Sequence, residues 1–214
     1  MEVVLVTNPS YDVVTRHFSH WVGRVLKHMK TLKGVHVVEL PGKKAHPRNL
    51  RKSIAKHAPD MVFFNGHGNH SEVVGHNGVV LVACHDASHT QLKGTIVHCL
   101  ACQSGKTLGQ ELIKIGALAF IGYQEDFKFF YTKDDPKTQG HDDIAALFLE
   151  PAHLPMIALV SGKKAGHAYN EARRLYKKNF LTAYANNMDS DVLGALADDL
   201  RHMVIHGDHE ASIA

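Results

Sequence analysis

Apolar residues along this chain alternate between unbroken runs of strand length and recurrences at three and four residues. Glu2-Val3-Val4-Leu5-Val6-Thr7 is a β-branched run closed by Asn8-Pro9-Ser10, the pattern of a buried parallel strand ending in a turn. Beyond it Val14, Phe18, Trp21, Val25, Met29 and Leu32 mark one face of a helix, with Ser10 as the expected cap and Gly34 as its stop. Val35-His36-Val37-Val38-Glu39-Leu40 is a second strand closed by Pro41-Gly42. A short helix follows over about 48–56, its basic residues read as a solvated face.

Pro59-Asp60 opens a third strand that ends at Asn65, and Asn77-Gly78 between two apolar runs is a strong hairpin signal. Lys93-Gly94 introduces a fourth strand, 95–101. Ser104-Gly105-Lys106-Thr107 turns into a helix with Leu108, Leu112 and Ile115 on one face, and a fifth strand runs over 117–122. After a polar loop reaching Gly140, helices are expected over 142–149, from Met156, over about 163–184 and over 190–205. Strand and helix alternating at this spacing predict an α/β fold, a three-layer sandwich around a mostly parallel sheet of about five to six strands with right-handed crossovers. No repeat or linker divides the chain, so residues 1–214 read as a single domain, helical from about 140.

Composition narrows the class without naming a function. With 214 residues, 44% hydrophobic and 21% charged, the chain can bury a full core. A formal charge of +3, with basic residues in small scattered groups, makes no case for a nucleic-acid or membrane partner. Three cysteines in a chain of this length, and a start, Met-Glu-Val-Val, unlike a secretory signal, point to a reducing cytoplasm. The apolar runs read as strand-length, short of the roughly 20 residues that span a bilayer. Histidine, at 18 residues, is unusually abundant.

Chemistry concentrates at two strand ends. Met61-Val62-Phe63-Phe64-Asn65-Gly66-His67-Gly68 and Thr95-Ile96-Val97-His98-Cys99-Leu100-Ala101-Cys102-Gln103-Ser104-Gly105 each end abruptly at a reactive side chain beside small residues. On neighbouring strands His67 and Cys102 face one another, and their 35-residue separation suits adjacent parallel strands. A cysteine attacks as its thiolate, and an imidazole takes its proton and returns one to the leaving group, so the pair suffices for acyl transfer. The small residues admit a substrate backbone, and the amides of Gly68 and Cys102 are placed to bind a tetrahedral oxyanion, the latter aided by the following helix. Asn65 is a candidate to orient His67.

Gly66-His67-Gly68, Ala101-Cys102-Gln103-Ser104-Gly105 and Gly116-Ala117-Leu118-Ala119-Phe120-Ile121-Gly122 together resemble the caspase-like superfamily of cysteine peptidases. The best match is the branch holding CHAT domains, separase, gingipain and clostripain. Ser161-Gly162 and Glu171-Ala172 resemble the CHAT tail, so the likeness spans 61–176. It implies a caspase-like fold and an endopeptidase acting on a protein or peptide substrate, with Cys102 as nucleophile, His67 as base and then acid, and no cofactor or metal. In related peptidases that prefer basic residues an acid near the end of the fifth strand lines the pocket. That implies cleavage after Arg or Lys, with Asp126 first and Glu125 second as the pocket acid. The tryptophan usual after that strand is replaced by Gly122-Tyr123-Gln124. Lacking a repeat domain of its own, the chain would be controlled by a separate protein.

Other readings of the same residues stay open. Cys99 lies inside an apolar run and reads as core, and Cys84, in Ala83-Cys84-His85-Asp86, as a loop thiol. His67, His70, His76, His85, His89 and Cys84 could supply metal ligands, as could His202, His206, Asp208 and His209 from a C-terminal helix. Gln103-Ser104-Gly105-Lys106-Thr107 resembles the end of a phosphate-binding loop, although Leu100 stands where its first glycine belongs. A catalytically inactive caspase-like interaction module is the remaining alternative.

Overall fold

The computed structural model describes residues 1–85, 87–132 and 142–213. The polar loop expected to reach Gly140, and Asp86, lie outside them. Six strands form the main sheet: β1 (Glu2–Asn8), β2 (Val35–Pro41), β3 (Met61–Asn65), β6 (Ile96–Leu100), β7 (Ala119–Tyr123) and β8 (Met203–Gly207). Their spatial order is β2-β1-β3-β6-β7-β8; the first five are parallel and β8 runs antiparallel to β7. The hairpin signalled by Asn77-Gly78 is present as β4 (Glu72–Val74) and β5 (Val80–Ala83), a separate two-stranded sheet. Asn77 and Gly78 make its turn at φ of 56° and 74°.

Strand alternation splits the core in two. Val4, Val6, Met61, Phe63, Ile96 and Leu100 face one side, where α1 (Val13–Met29), α4 (Asp143–Val160), α5 (Ala165–Ala185) and α6 (Ser190–His202) pack. Leu5, Val62, Phe64, Val97, Cys99 and Phe120 face the other, covered by α2 (Pro47–His57), α3 (Leu108–Lys114) and the hairpin. This is the expected three-layer sandwich.

Three boundaries differ from the sequence expectation. Asp12, not Ser10, caps α1: its carboxylate accepts from Thr15 N–H while the Thr15 hydroxyl reaches back to the cap's backbone, a reciprocal pair. The pieces expected over 142–149 and from Met156 are one helix, α4, which runs through Pro151 and Pro155. Pro151 leaves the Leu147 carbonyl without its helical donor, and Asn179 Nδ2 of α5 supplies one at 2.8 Å. At 18 residues and mean hydropathy 1.5, α4 is also long and apolar enough to cross a membrane, unlike the strand-length runs expected; 67% of it is buried within the protein.

The helix expected over 190–205 ends at His202 and gives way to β8. His202 and His206 therefore do not share a helix face, and His206 Nε2 lies 2.8 Å from the Gly105 carbonyl. Among the described residues no group of three or more His, Cys, Asp or Glu side chains is arranged to hold a metal.

Candidate active site

The parallel register of β3 and β6 pairs Asn65 with Leu100, and Gly66 N–H donates to the Leu100 carbonyl at 3.1 Å just past the strand ends. The register offset is the 35 residues that separate His67 from Cys102, so the two emerge from neighbouring strand ends at one level. Gly68 packs so closely against β6 that a Cβ there would meet Ala101 Cβ at 3.1 Å and the Glu72 carbonyl at 2.7 Å. The hairpin clamps the other side: Val74 N–H donates to the His67 carbonyl at 3.0 Å, and Asn69 N–H to that of Glu72 at 2.9 Å. His67 and Cys102 line the same cavity, about 620 Å³ in volume.

His67 has a partner that the sequence reading missed. Its Nε2 lies 2.7 Å from Asp12 Oδ2, while Oδ1 of the same carboxylate caps α1. Burial pushes the Asp12 carboxyl up, but hydrogen bonds from Thr15 and the contact with His67 outweigh it and hold Asp12 below the usual carboxylate range. An ionised Asp12 places the imidazole proton on Nε2 and leaves the lone pair on Nδ1. Asn65, the sequence candidate for orienting His67, donates instead to Asn8 Oδ1 at 3.2 Å. The available signal was an acid in the turn after a parallel strand adjacent to β3.

Cys102 is half-buried, and burial is the first cause of a thiol pushed above its ordinary value. The Phe127 amide, donating to sulfur, opposes the shift, whereas the charges of Asp126 and Asp199 add to it. The resting side chain is therefore the neutral thiol at pH 7. The next residue, Gln103, holds a left-handed φ of 54°, uncommon for a non-glycine and here part of the turn that presents the cysteine. Neither Gly68 N–H nor Cys102 N–H donates to any backbone carbonyl or neighbouring side chain among the described residues.

Two details of the turn depart from expectation. Gly105 is small for packing, since a Cβ there would meet Val204 at 2.5 Å and the Tyr123 backbone at 3.1 Å. The α3 helix begins only at Leu108, beyond a series of turns, so its dipole does not start at Cys102. The phosphate-loop alternative also loses its donors. Gln103 N–H, Gly105 N–H and Thr107 N–H go to the carbonyls of Glu125, Tyr123 and His70, and Lys106 pairs with Glu125 at 2.9 Å.

Cys99 is fully buried, as expected of a core residue, and burial drives its thiol strongly up. Cys84 is half-buried in a loop, its thiol also raised, by burial first and Glu111 second. Asp126 and Glu125 do not line the cavity: Asp126 accepts from Gln103 Nε2 at 2.9 Å and Glu125 holds Lys106. Among the described residues the cavity's carboxylates are Asp191 and Asp198 of α6, facing a wall formed by Phe18, Phe127, Phe129, Phe130 and Tyr131. Lys128, between those rings, pairs with Asp198 at 2.7 Å, and its backbone N–H donates to Asp199 at 3.0 Å. Sequence reasoning missed both α6 acids because they lie far along the chain from the fifth strand, which ends at Tyr123, and reach the cavity only through tertiary packing.

No protein-family model and no curated protein matches the sequence. Solved structures do match. The Arg-specific cysteine proteinase gingipain R superposes with a TM-score of 0.54 at 12% identity, over 99% of this chain and 47% of that one. The complex of the pro- and mature domains of Porphyromonas gingivalis RgpB gives 0.56 at 10% identity, over 98% and 47%. Caspase-1 from Spodoptera frugiperda gives 0.50 at 10% identity, over 96% and 85%. The chain spans about half the length of the gingipain chains it matches. Its fold is the caspase-like fold of cysteine peptidases.

Proposed function

We propose that the protein is a cysteine endopeptidase in which Cys102 is the nucleophile and His67 the general base and then acid. The observation that carries this reading is the convergence of the two side chains from register-matched strand ends into one cavity, with His67 held by Asp12. Because the resting thiol is neutral, its proton moves to His67 Nδ1 as sulfur attacks the substrate carbonyl. The imidazolium that forms is stabilised by Asp12 through Nε2–H. The oxyanion is met by the amides of Gly68 and Cys102, and His67 then protonates the departing amine. Water, deprotonated by the same imidazole, cleaves the thioester and restores the thiol.

Cleavage after Arg or Lys belongs to the same proposal, with the pocket acid moved from Asp126 and Glu125 to Asp198 and Asp191. These carboxylates line the cavity, and the aromatic wall beside them offers faces on which a cation can stack. Placement in the CHAT branch rests on Ser161-Gly162 and Glu171-Ala172. Three free cysteines suit a cytoplasmic location. Digestion of a peptide library tests the whole reading: wild type should cut after basic residues and Cys102→Ala should not cut at all. A wild-type protein that neither cleaves nor reacts with an arginyl chloromethyl ketone would leave the inactive interaction module as the better reading.

A further inference from the structure

One turn and the helix that follows it carry cations without acidic neighbours. From Pro41 to Pro59 the chain holds no acidic residue, and Lys43, Lys44, Arg48, Arg51, Lys52 and Lys56 are all exposed on the turn before α2 and on α2 itself. Among the described residues none of the six reaches a carboxylate, whereas Lys30, Lys106, Lys114 and Lys163 each do. The arrangement opposes the helix's own stability. Arg48 stands in the first turn, where the dipole disfavours a cation, no acid offsets it, and Arg48, Lys52 and Lys56 repel along one stripe at four-residue spacing.

The face is fixed to the candidate site. Ala45, in the turn, accepts from His76 N–H of the hairpin at 2.8 Å, and the hairpin in turn holds His67 and Gly68. Gly42 packs beside Ser10 of the loop that carries Asp12. We infer that the α2 face binds an acidic segment of a polypeptide, as a docking surface beside the cleft. Its charge complements carboxylates, and its large apolar residues Leu50 and Ile54 pack on the core, leaving only the small Ala55 of the helix exposed toward a lipid surface. The stretch holds no Phe, Tyr or Trp on which a base could stack, and its two imidazoles are engaged, His46 at the cap of α2 and His57 against His36. The choice of a polypeptide among polyanions rests on the peptidase reading; the anion-binding face itself does not.

The experiment is fluorescence anisotropy with a labelled oligoglutamate peptide, using the full chain both as wild type and as Cys102→Ala. Both should bind, with an affinity that falls as salt rises, and Arg48→Glu/Lys52→Glu should weaken binding about tenfold or more. Lys177→Glu/Lys178→Glu on α5 should leave it unchanged. Arg48→Gln/Lys52→Gln, which adds no new charge, is the second variant should the reversal fail to fold, and circular dichroism reports folding for each. Absence of binding by folded wild type at low salt, or equal loss from the α5 control, overturns the inference. So does tighter binding through α2 of a short DNA duplex or of phosphatidylserine vesicles. Peptide binding is read without turnover, so an inactive protein that still binds the peptide separates failure of the peptidase reading from failure of this one.

Discussion

Asp12 divides its carboxylate between two tasks: Oδ2 lies 2.7 Å from His67 Nε2, and Oδ1 accepts the Thr15 amide that starts α1. One residue thus ties the first helix to the orientation of the candidate base, and substitution can separate the roles. Asparagine caps a helix as well as aspartate does, but its neutral amide cannot stabilise an imidazolium. Asp12→Asn should therefore melt close to wild type while kcat falls by about 10²–10⁴-fold. Asp12→Ala should lose the activity and also about 1 kcal/mol of stability with the cap. Wild-type kcat in Asp12→Asn would reduce the contact to packing.

The three thiols should separate by alkylation. Cys102 opens into the cavity, Cys99 is fully buried, and Cys84 is half-buried. Iodoacetamide on the folded protein should label Cys102 and spare Cys99. Because burial raises the Cys102 thiol, its labelling rate should climb with pH beyond the range of an ordinary cysteine. Peptide mass mapping across pH 6–10 checks this, and a Cys102 rate already maximal at neutral pH would indicate a preformed thiolate. Cys102→Ala should abolish proteolysis, whereas Cys84→Ala and Cys99→Ala should retain most of it.

Periodicity made the sheet legible because β1, β3, β6 and β7 are buried on both faces and read as unbroken runs. The pairing of His67 with Cys102 was legible because a parallel register conserves sequence offset along paired strands. What sequence could not supply came through tertiary contacts. The α4 helix continues past two prolines because Asn179, on another helix, satisfies a carbonyl, and β8 forms because β7 offers it an edge. Asp12 reaches His67 from the cap of α1 and Asp198 lines the cavity through packing of α6, and strand alternation near Glu125 and Asp126 carried no such information.

Acid should destabilise the fold through two core histidines. His98 is fully buried against Phe63, neither ring nitrogen has a hydrogen-bond partner among the described residues, and burial lowers its pKa to about 3. His153 is lowered by burial to about 4 despite its contact with the Leu149 carbonyl. Both folded values lie below the unfolded 6.5, so the unfolded chain binds the extra protons. The stabilisation is complete above about pH 6.5 and is lost as pH falls toward 4 and then 3, by at most about 1.4 kcal/mol per pH unit for each group. Asp199, raised by burial, acts in the opposite sense, so the readout is a difference between proteins. Urea titrations of wild type and His98→Phe should diverge below pH 6, the variant losing less; parallel curves would reject the assignment.

Specificity should follow Asp198 rather than the acids after β7. In the resting cavity Asp198 already holds a cation, Lys128, at 2.7 Å, and both side chains remain partly exposed. A substrate arginine entering between the rings must compete with that ammonium, and its planar guanidinium can donate to both carboxylate oxygens at once where lysine offers a point charge. Asp198→Asn should lower kcat/KM for Arg substrates by about tenfold, discounted for solvent screening from the full strength of a charged pair, while an apolar substrate is little affected. Lys128→Met, which removes the competitor, should lower KM for the same Arg substrates. Glu125→Ala and Asp126→Ala should leave the preference as it is, since those carboxylates are engaged by Lys106 and Gln103 and do not line the cavity. Matched peptides differing only at the residue before the scissile bond supply the measurement. If Asp198→Asn and Lys128→Met shift KM in the same direction, or if either acid after β7 proves the stronger determinant, Asp198 is not the pocket acid.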